Sequence, residues 1–450
     1  MGMLAQAVAA ALPLNSLPRN NGVSSPFMLQ HSKPTICFPY PKKHFRISCD
    51  SATTSSGSSA TTSSTSYGGS ESVLELKEIK ERCKKWMWKG QYSINYFVSD
   101  SKHSPGPPLL LVHGFGASIP HWRRFPRMIR FILRLTYYVD KLGEICLRYK
   151  VAWDDSKEGF ELEANRLASR RLEGFELKAN HLARRLEGFE LRNINTLAQN
   201  HTVYAIDLLG FGASDKPQGF PYTMEAWAQL ILDFLNEIVQ KPTVLIGNSV
   251  GSLACVIAAS DFLQQETSQT LVCGLVLLNC AGGMNNKAIV DDWRIKLLLP
   301  LLWLIDFLLK QRAIASSIFE RVKQRDTLKN ILLSVYGNKE SVDEDLVEII
   351  RGPANEEGAL DAFVSIVTGP PGPNPVTLMP GISIPVLVLW GDQDPFTPID
   401  GPVGRYFSSL PSQLSNVRLQ MLEGVGHCPH DDKPELVHQN LLPWLANLAT

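Results

Sequence analysis

Three residue types that together catalyse acyl transfer occur in the order Ser249, Asp394 and His427, each shortly after an apolar run. A serine hydroxyl becomes an effective nucleophile when a neighbouring imidazole takes its proton. A carboxylate beside the other imidazole nitrogen fixes the tautomer and stabilises the imidazolium that forms. The sequence therefore predicts that His427 Nε2 takes the Ser249 proton while Asp394 orients the imidazole.

The pentapeptide around Ser249 has glycine at both ends, Gly247 and Gly251, and follows the apolar run 244–246. Such a run predicts a buried strand, and residues 253–260 predict a helix after a sharp turn. Glycine is needed at both ends because a side chain there would collide with neighbouring backbone. This strand–turn–helix pattern, G-x-S-x-G, resembles the nucleophile elbow of the α/β-hydrolases.

The resemblance also assigns a role to the loop that follows the apolar run 109–112. This loop contains Gly114 and Gly116. In α/β-hydrolases this loop and the residue after the nucleophile each supply one backbone N–H to the oxyanion hole. Here those donors are expected to be the amides of Phe115 and Val250. A donor of this kind stabilises the tetrahedral oxyanion by about 3 kcal/mol.

Two carboxylates, Asp392 and Asp394, follow the strand predicted at 385–390. The α/β-hydrolase pattern G-x-x-D-x-x-x-P runs here from Gly391 to Pro398 and places the acid at Asp394. Asp392 is expected to cap the turn. Serine at the elbow excludes dehalogenase and epoxide hydrolase chemistry, in which an aspartate takes that position.

Four other histidines can be explained by structural roles. Ser249 also has a structural alternative, that of an ordinary serine in a turn. His113 and His121 are expected to shape the oxyanion loop rather than to move protons. His430 and His438 lie in or near the last predicted helix and are expected to be solvated or packing residues. All four are therefore weaker candidates for the catalytic base than His427, which follows the last predicted strand.

The 450 residues are 44% hydrophobic and 20% charged, with a formal net charge of zero. This balance predicts a globular chain with one large core, and without a basic excess no nucleic-acid partner is expected. The eight cysteines follow neither a metal-ligand nor a disulfide spacing. No cofactor or metal is expected, and no apolar run reaches the roughly 20 residues of a membrane-spanning helix.

Residues 1–49 contain no Asp or Glu, and residues 51–70 are almost entirely Ser, Thr, Gly and Ala. An acid-poor, basic, hydroxyl-rich leader is typical of an organelle transit peptide. We predict a chloroplast transit peptide over 1–49, with cleavage near Cys49, and a Ser/Thr-rich linker over 50–72. A mitochondrial address and a disordered tail without an address are the alternatives.

Strand and helix patterns alternate along residues 73–450. They predict the α/β class, an α/β-hydrolase fold with a mostly parallel central sheet and helices on both faces. The alternating segment 92–96 predicts an antiparallel strand at the edge of this sheet. A helical cap is expected over 284–380, between two strands of the sheet.

Inside the cap, the thirteen residues 297–309 contain a single charge. Such a segment is too apolar for an exposed helix and too short to span a bilayer. One interpretation is a buried helix kinked at Pro300. The other is a wall for a long-chain substrate, or a surface that dips into a membrane. The side chains assigned to this wall are Leu298, Leu302, Trp303 and Phe307.

Residues 125–192 form a 68-residue insert between the oxyanion loop and the next predicted strand, where one short helix is expected. The motif Glu-Gly-Phe-Glu-Leu occurs three times in it, at offsets of 15 and 14 residues. This period is too short for a solenoid. Joining Arg124 to Asn193 restores an uninterrupted hydrolase pattern. The hypothesis is retained non-coding sequence or a gene-model error, and a genuine surface insertion is the alternative.

Almost all of the chain outside the leader and the insert resembles plant chloroplast α/β-hydrolases, the group that contains chlorophyll dephytylases and pheophytinases. The resemblance implies removal of phytol from chlorophyll to give chlorophyllide, at the stroma-facing side of the thylakoid membrane. The Mg²⁺ of chlorophyll then belongs to the substrate. The residues that carry the resemblance are 109–122, 203–217, the elbow with Asn248, 279–283, and 390–398 with His427.

Three alternatives stay open, because specificity in this fold lies outside the triad. The first is a plastid lipase or carboxylesterase acting on galactolipid or another acyl ester. The second is a phytyl esterase specific for pheophytin. The third is a catalytically silent pigment-binding protein. In every case the expected partner is a small pigment or lipid, with peripheral association at the thylakoid membrane.

Overall fold

The computed structural model describes residues 76–99, 104–123, 193–264, 271–285, 300 and 303–448. The predicted leader, linker and insert lie outside these ranges and stay predictions. The described strands form one eight-stranded sheet. These strands are β1 (Lys84–Trp88), β2 (Tyr92–Val98), β3 (Leu109–Val112), β4 (Val203–Ile206), β5 (Thr243–Asn248), β6 (Val272–Leu278), β7 (Val386–Gly391) and β8 (Val417–Leu422).

The strands lie across the sheet in the order β1-β2-β4-β3-β5-β6-β7-β8. β2 pairs antiparallel with β1 and with β4, and all other neighbouring pairs are parallel. The prediction of a mostly parallel sheet is therefore confirmed. The segment 92–96 lies in β2 and pairs antiparallel as predicted, but its placement at the edge is wrong because β1 extends the sheet beyond it.

Helices alternate with these strands along the described chain. They are α1 (Leu76–Arg82), α2 (Asn193–Ala198), α3 (Met224–Phe234), α4 (Val250–Gln264), α5 (Arg312–Val322), α6 (Arg325–Val335), α7 (Glu344–Arg351), α8 (Ala359–Thr368), α9 (Pro375–Leu378), α10 (Pro402–Ser409), α11 (Pro429–Asp432) and α12 (Pro434–Leu448). Within the residues that the structure describes, none of the helices has the length and apolar character needed to cross a membrane.

The side chains of β3 show how the sheet is buried on both faces. Leu110 and Val112 pack in a core with residues of α3 and α4. Leu109 and Leu111 point the other way and pack in a second core with residues of α2 and α12. This alternation follows from the two-residue period of a strand, and it explains why both faces of a parallel strand are apolar. The loops at the carboxyl ends of the strands are not part of these cores, and they carry the candidate residues.

Helices α5 to α9 occupy the region between β6 and β7 where the cap is predicted. A third apolar cluster joins α6 to α7 through Leu328, Leu332 and Leu346, among other residues. This cluster is separate from the two cores of the sheet, as expected for a cap with packing of its own. The cap boundaries 284–380 stay a prediction.

The apolar segment of the cap is described from Trp303 onwards, and residues 303–309 are helical. Trp303 is 75% exposed and Phe307 is 61% exposed, whereas Leu309 is buried. The buried-helix interpretation is therefore wrong for this turn, because its largest side chains face solvent. Leu298 and Leu302 lie outside the described residues.

Candidate active site

Ser249 lies at the junction of β5 and α4, in a left-handed backbone conformation with φ of +56°. A non-glycine residue rarely adopts this conformation, which costs about 1–3 kcal/mol. A Cβ atom on Gly247 would lie 2.5 Å from the backbone nitrogen of Ser252, and one on Gly251 would lie 2.4 Å from the carbonyl oxygen of His113. The two glycines of the predicted elbow therefore occupy positions where no side chain fits.

The structure brings Ser249, His427 and Asp394 into one chain of hydrogen bonds. His427 Nε2 lies 2.8 Å from Ser249 Oγ, and His427 Nδ1 lies 2.7 Å from Asp394 Oδ2. All three side chains are buried. In the neutral tautomer that satisfies both contacts, Nδ1–H donates to the carboxylate and Nε2 accepts the serine proton. These are the distances that proton transfer from a nucleophile requires.

The loop that carries His427 is held from two sides. The His427 backbone N–H donates to the carbonyl of Val335 over 3.0 Å, at the end of α6. Asn248 Nδ2 donates to the His427 carbonyl over 2.9 Å. The Phe396 ring meets the imidazole edge-on, with centroids 5.0 Å apart. The imidazole is therefore positioned by the elbow and by the cap as well as by its acid.

Asp394 accepts hydrogen bonds at both carboxylate oxygens. Its Oδ1 accepts from the backbone N–H groups of Phe396 and Thr397 over 2.7 and 3.1 Å, and its Oδ2 also accepts from the Thr397 hydroxyl. Burial alone would raise the pKa of Asp394. The charge of His427 and the hydrogen bonds from His427 and Thr397 outweigh burial and lower that pKa to about 2. Asp394 is therefore ionised at neutral pH.

Two further polar side chains hold the acid and its loop in place. Asn279, directly after β6, donates from Nδ2 to Asp394 Oδ2 over 2.6 Å and accepts the Gly391 N–H over 3.0 Å. Asn279 belongs to the segment 279–283 that carries the family resemblance, but no role was predicted for it, although a polar side chain directly after an apolar strand is a usable signal. Asp392 accepts the Gly424 N–H over 2.7 Å, so its carboxylate binds the turn after β8, whereas the sequence predicts it as a cap of its own turn after β7.

The loop after β3 packs directly against the elbow. A Cβ atom on Gly114 would lie 3.2 Å from Ser249 Cβ, so the loop approaches the nucleophile as closely as glycine allows. Gly116 has φ of +70°, and a Cβ atom added there would meet no atom within 4 Å. Glycine is therefore favoured at this position by its backbone conformation and not by lack of space. Val250 is the first residue of α4, where a backbone N–H has no partner within the helix. The oxyanion role of the Phe115 and Val250 amides stays a prediction.

Two buried side chains fix this loop from behind. His113 Nδ1 donates to the Gly114 carbonyl over 2.8 Å, and His113 Nε2 accepts the Leu208 N–H over 3.0 Å. Burial lowers the pKa of His113, which favours the neutral ring that these two contacts require. Asp207 Oδ1 accepts the Ile119 N–H over 2.7 Å. Asp207 belongs to the segment 203–217 that carries the family resemblance, but no role was predicted for it, because its partner lies far away along the chain.

The other histidines considered in the sequence also lie in the interior. His121 Nε2 lies 2.7 Å from the Tyr336 hydroxyl, which donates to Asp431 Oδ2 over 2.9 Å. This chain connects the oxyanion loop to the cap and to α11. His430 and His438 are both buried, so of the two predicted alternatives the packing one is confirmed and the solvated one is wrong. Burial lowers the pKa of His430 well below its ordinary value.

Ser249 and His427 open onto a cavity of about 240 Å³, slightly smaller than most small-molecule sites. Trp303 and Phe307 are not among the residues that line it, so the wall interpretation is wrong for these two exposed side chains. In the described part of the chain, no group of three or more His, Cys, Asp or Glu is arranged to hold a metal ion. The aromatic side chains in the lining are Phe115, Phe211, Phe319, Tyr336, Phe363 and Phe396.

A family model, the alpha/beta hydrolase family, matches residues 179–439. An uncharacterised hydrolase of Bacillus subtilis is 24% identical over 252 residues, which are 56% of this chain and 83% of that protein. The chloroplast pheophytinase of Arabidopsis thaliana is 25% identical over 255 residues, 54% of this chain and 49% of pheophytinase. The aligned part of the chain thus spans about half of the pheophytinase length.

Solved structures share the architecture. An epoxide hydrolase matches with a TM-score of 0.52 and 17% identity, covering 81% of this chain and 99% of that one. A Salmonella enterica protein described as a putative acyltransferase matches with a TM-score of 0.52 and 16% identity, covering 81% and 95%. At these identities the similarity extends to the fold alone. Together with the family match, it confirms the predicted α/β-hydrolase fold.

Proposed function

We infer that this chain, which belongs to the alpha/beta hydrolase family, is a serine-dependent carboxylic ester hydrolase. The observation that carries the inference is the hydrogen-bond chain from Ser249 Oγ through His427 to Asp394, with contacts of 2.8 and 2.7 Å. The serine lies in a strained elbow and opens onto a cavity, where a substrate carbonyl can reach it. A structural serine needs none of these three features.

The geometry gives each residue a step in a two-stage reaction. Ser249 Oγ attacks the ester carbonyl while its proton passes to His427 Nε2. The alcohol leaves with that proton, and the acyl group stays on Ser249. Water then gives a proton to His427 Nε2 and attacks the acyl carbon, and His427 returns that proton to Ser249 Oγ as the acid leaves. The Phe115 and Val250 amides stabilise the oxyanion in both stages, and Asp394 stabilises the imidazolium.

The substrate that we propose first is the phytyl ester of chlorophyll, which would give chlorophyllide and phytol. Similarity to pheophytinase supports this choice, as does the apolar lining of the cavity. A cavity of about 240 Å³ is too small for the whole pigment, since even drug-sized ligands occupy about 300–1,000 Å³. The part of the hydrocarbon chain next to the ester is therefore assigned to the cavity and the macrocycle to its mouth.

We also propose a chloroplast location, with peripheral attachment to the stroma-facing side of the thylakoid membrane. The composition of the leader supports the address. Exposure of Trp303, Leu304 and Phe307 on one helix supports attachment. Aromatic and aliphatic side chains grouped on an exposed helix are typical of segments that lie in a membrane interface.

A second candidate function is hydrolysis of an acyl ester such as a galactolipid. The same apolar cavity favours it, because a fatty acyl chain and a phytyl chain make similar contacts there. A phytyl esterase restricted to pheophytin shares the triad and differs in how the mouth of the cavity accepts a central Mg²⁺. A silent pigment-binding protein is the non-enzymatic alternative, and the intact hydrogen-bond chain argues against it.

The deciding experiment incubates the full chain with chlorophyll a, pheophytin a and a galactolipid in separate assays. Release of chlorophyllide from chlorophyll a supports the first substrate. Activity on pheophytin a alone or on the galactolipid alone replaces it with the corresponding alternative. Labelling of Ser249 by a fluorophosphonate, without turnover of any of the three, keeps the hydrolase and rejects all three substrates.

The matched control is Ser249→Ala, which removes the nucleophile and leaves the cavity intact. We expect turnover to fall by at least about 10⁴-fold while pigment or lipid binding, followed by fluorescence quenching, stays within a factor of about three. Hydrolysis retained by this variant would refute the serine mechanism. Absence of fluorophosphonate labelling in the folded wild-type protein would favour the silent alternative.

A further inference from the structure

The cavity lining has an uneven distribution of charge. Among the described residues that line it, three are cationic and none is Asp or Glu. The rest of the lining is mainly apolar, so these cations are the strongest polar features away from the triad. The three residues are Lys216, Lys323 and Arg351.

Lys216 already has a structural task. Its ammonium donates to the carbonyls of Gly212 and Ser214 over 2.7 and 3.2 Å. It also contacts Glu356 Oε2 at 2.6 Å, while its own side chain is only 3% exposed. With these partners, Lys216 stabilises the loop after β4 and the start of the segment before α8. We therefore assign Lys216 no role in substrate binding.

Lys323 and Arg351 are held more loosely. Lys323 pairs with Glu320 at 2.7 Å, and that carboxylate is 61% exposed. Arg351 lies 3.6 Å from Glu348, which is 45% exposed. Neither glutamate lines the cavity. Ion pairs with exposed carboxylates contribute little to stability, so a substrate anion can replace them.

A row of aromatic rings leads from the candidate oxyanion loop to Lys323. Phe115 lies 6.2 Å from Phe363 between ring centroids, and Phe363 lies 5.1 Å from Phe319. The Lys323 ammonium lies 5.5 Å from the Phe319 ring. An apolar chain lying along these rings from Ser249 therefore ends beside a cation.

We propose that this cavity selects esters whose far end carries an anionic group, with Lys323 and Arg351 as the residues that recognise it. The inference rests on the proposed ester hydrolysis at Ser249 and adds the chemistry of the substrate at its other end. The anion is a carboxylate, phosphate or sulfonate separated from the ester by a hydrocarbon chain. Because a phytyl chain ends in a methyl group, the inference builds on the second candidate function, hydrolysis of an acyl ester, and not on the phytyl ester.

The test uses two pairs of synthetic esters with the full chain. The acyl pair is the p-nitrophenyl half-esters of α,ω-dicarboxylic acids with 6 to 16 carbons against p-nitrophenyl esters of the matching fatty acids. The alcohol pair is acetyl esters of ω-hydroxy fatty acids against acetyl esters of the matching fatty alcohols. We expect kcat/KM to favour the charged member about tenfold in at least one pair. The preference should peak at one chain length and shrink with added salt.

The variants Lys323→Met and Arg351→Met remove one cation each and keep a long apolar stem. Each should reduce the charged-over-neutral ratio about threefold, and the double variant should abolish it. Lys329→Met is the matched control, because Lys329 is an exposed cation that pairs with Glu344 and does not line the cavity. This control should keep the full ratio.

The outcomes separate this inference from the proposed function. Hydrolysis of both members of each pair at equal rates, at every chain length, would overturn the charge preference and leave the esterase intact. A preference that survives in the double variant would overturn the assignment to these two residues. No hydrolysis of any ester, by a folded protein, would instead reject the esterase on which the inference depends.

Discussion

Asp392 and Asp394 are two residues apart, and their partners give them different tasks. Asp394 touches the imidazole of His427 at 2.7 Å, whereas Asp392 accepts the backbone N–H groups of Gly424 and Val425. An amide in place of Asp394 can hold the ring only in the wrong tautomer and cannot stabilise an imidazolium. An amide in place of Asp392 still offers an oxygen to the two backbone donors.

We therefore predict that Asp394→Asn lowers kcat about 10³- to 10⁴-fold with little change in KM. Asp392→Asn is the matched control and should keep kcat within about threefold. Steady-state kinetics on a p-nitrophenyl ester measures both, with circular dichroism to verify folding. Equal losses in the two variants would mean that the acid was assigned to the wrong residue or that the whole loop is fragile.

The positions of Ser249, Asp394 and His427 after strands predicted that they come together, because parallel strands end at one edge of the sheet. The choice of Asp394 over Asp392 came from the family pattern G-x-x-D-x-x-x-P. Position in the sequence was not enough for Asn279, which is 115 residues from Asp394, or for Asp207, which is 88 residues from its Ile119 partner. Such pairs depend on strand order in space, and no local pattern encodes that order. The cationic pair of the cavity was missed for the same reason.

The junction between β5, α4 and the oxyanion loop depends on close approach of backbone segments. Gly251 places the first turn of α4 against β3: a Cβ atom there would lie 2.4 Å from the His113 carbonyl oxygen and 2.6 Å from that of Val112. Carbonyl groups at the end of a paired strand cannot move as a flexible side chain can. A methyl group at this position must therefore separate the helix from the strand and from the oxyanion loop.

We predict that Gly251→Ala lowers the free energy of unfolding by about 3 kcal/mol, at the upper end of overpacking effects, and abolishes activity in any folded fraction. Gly116→Ala is the control in the same loop, since its Cβ meets no atom within 4 Å. Only its positive φ is unfavourable for alanine, at about 1–2 kcal/mol. Urea unfolding compares the two; equal destabilisation would show that the elbow tolerates the methyl group.

The helix at 303–309 shows where sequence reasoning at the scale of an element fails. Its apolar composition indicated burial, but Trp303 and Phe307 are exposed. Periodicity places these side chains on one face of a helix, four residues apart. It does not say whether another element covers that face. For β3 the same reasoning succeeded, because a strand inside a parallel sheet is covered on both sides by the topology itself.

At the scale of the whole molecule, buried histidines make the fold sensitive to acid. Burial lowers the pKa of His438 to about 4, and neither of its ring nitrogens has a hydrogen-bond partner among the described residues. Between about pH 6.5, the usual histidine pKa, and pH 4, the unfolded chain binds a proton that the folded chain does not. Stability therefore falls as the pH drops through this window.

Asp394 acts in a second, lower window. Its pKa of about 2 in the folded protein lies below the ordinary 3.8. Its contribution is therefore fully present above about pH 4, and it is lost as the pH falls through 2. Loss of stability between pH 6.5 and 4 thus belongs to the histidines, and loss below pH 4 includes the acid of the candidate triad.

We predict that His438→Leu flattens the pH dependence of the free energy of unfolding between pH 6.5 and 4 by up to about 3 kcal/mol, the value of a shift of this size. Urea unfolding at pH 7.5, 6.0 and 5.0 measures the slope.

His201→Leu serves as a graded control: burial lowers the pKa of His201, but its contact with the Pro107 carbonyl favours the protonated ring. It should lower stability at every pH and change the slope less. An unchanged slope in His438→Leu would show that this ring is protonated at no energetic penalty, and the acid sensitivity would then belong to His430 and His113, which lie closer to the candidate active site.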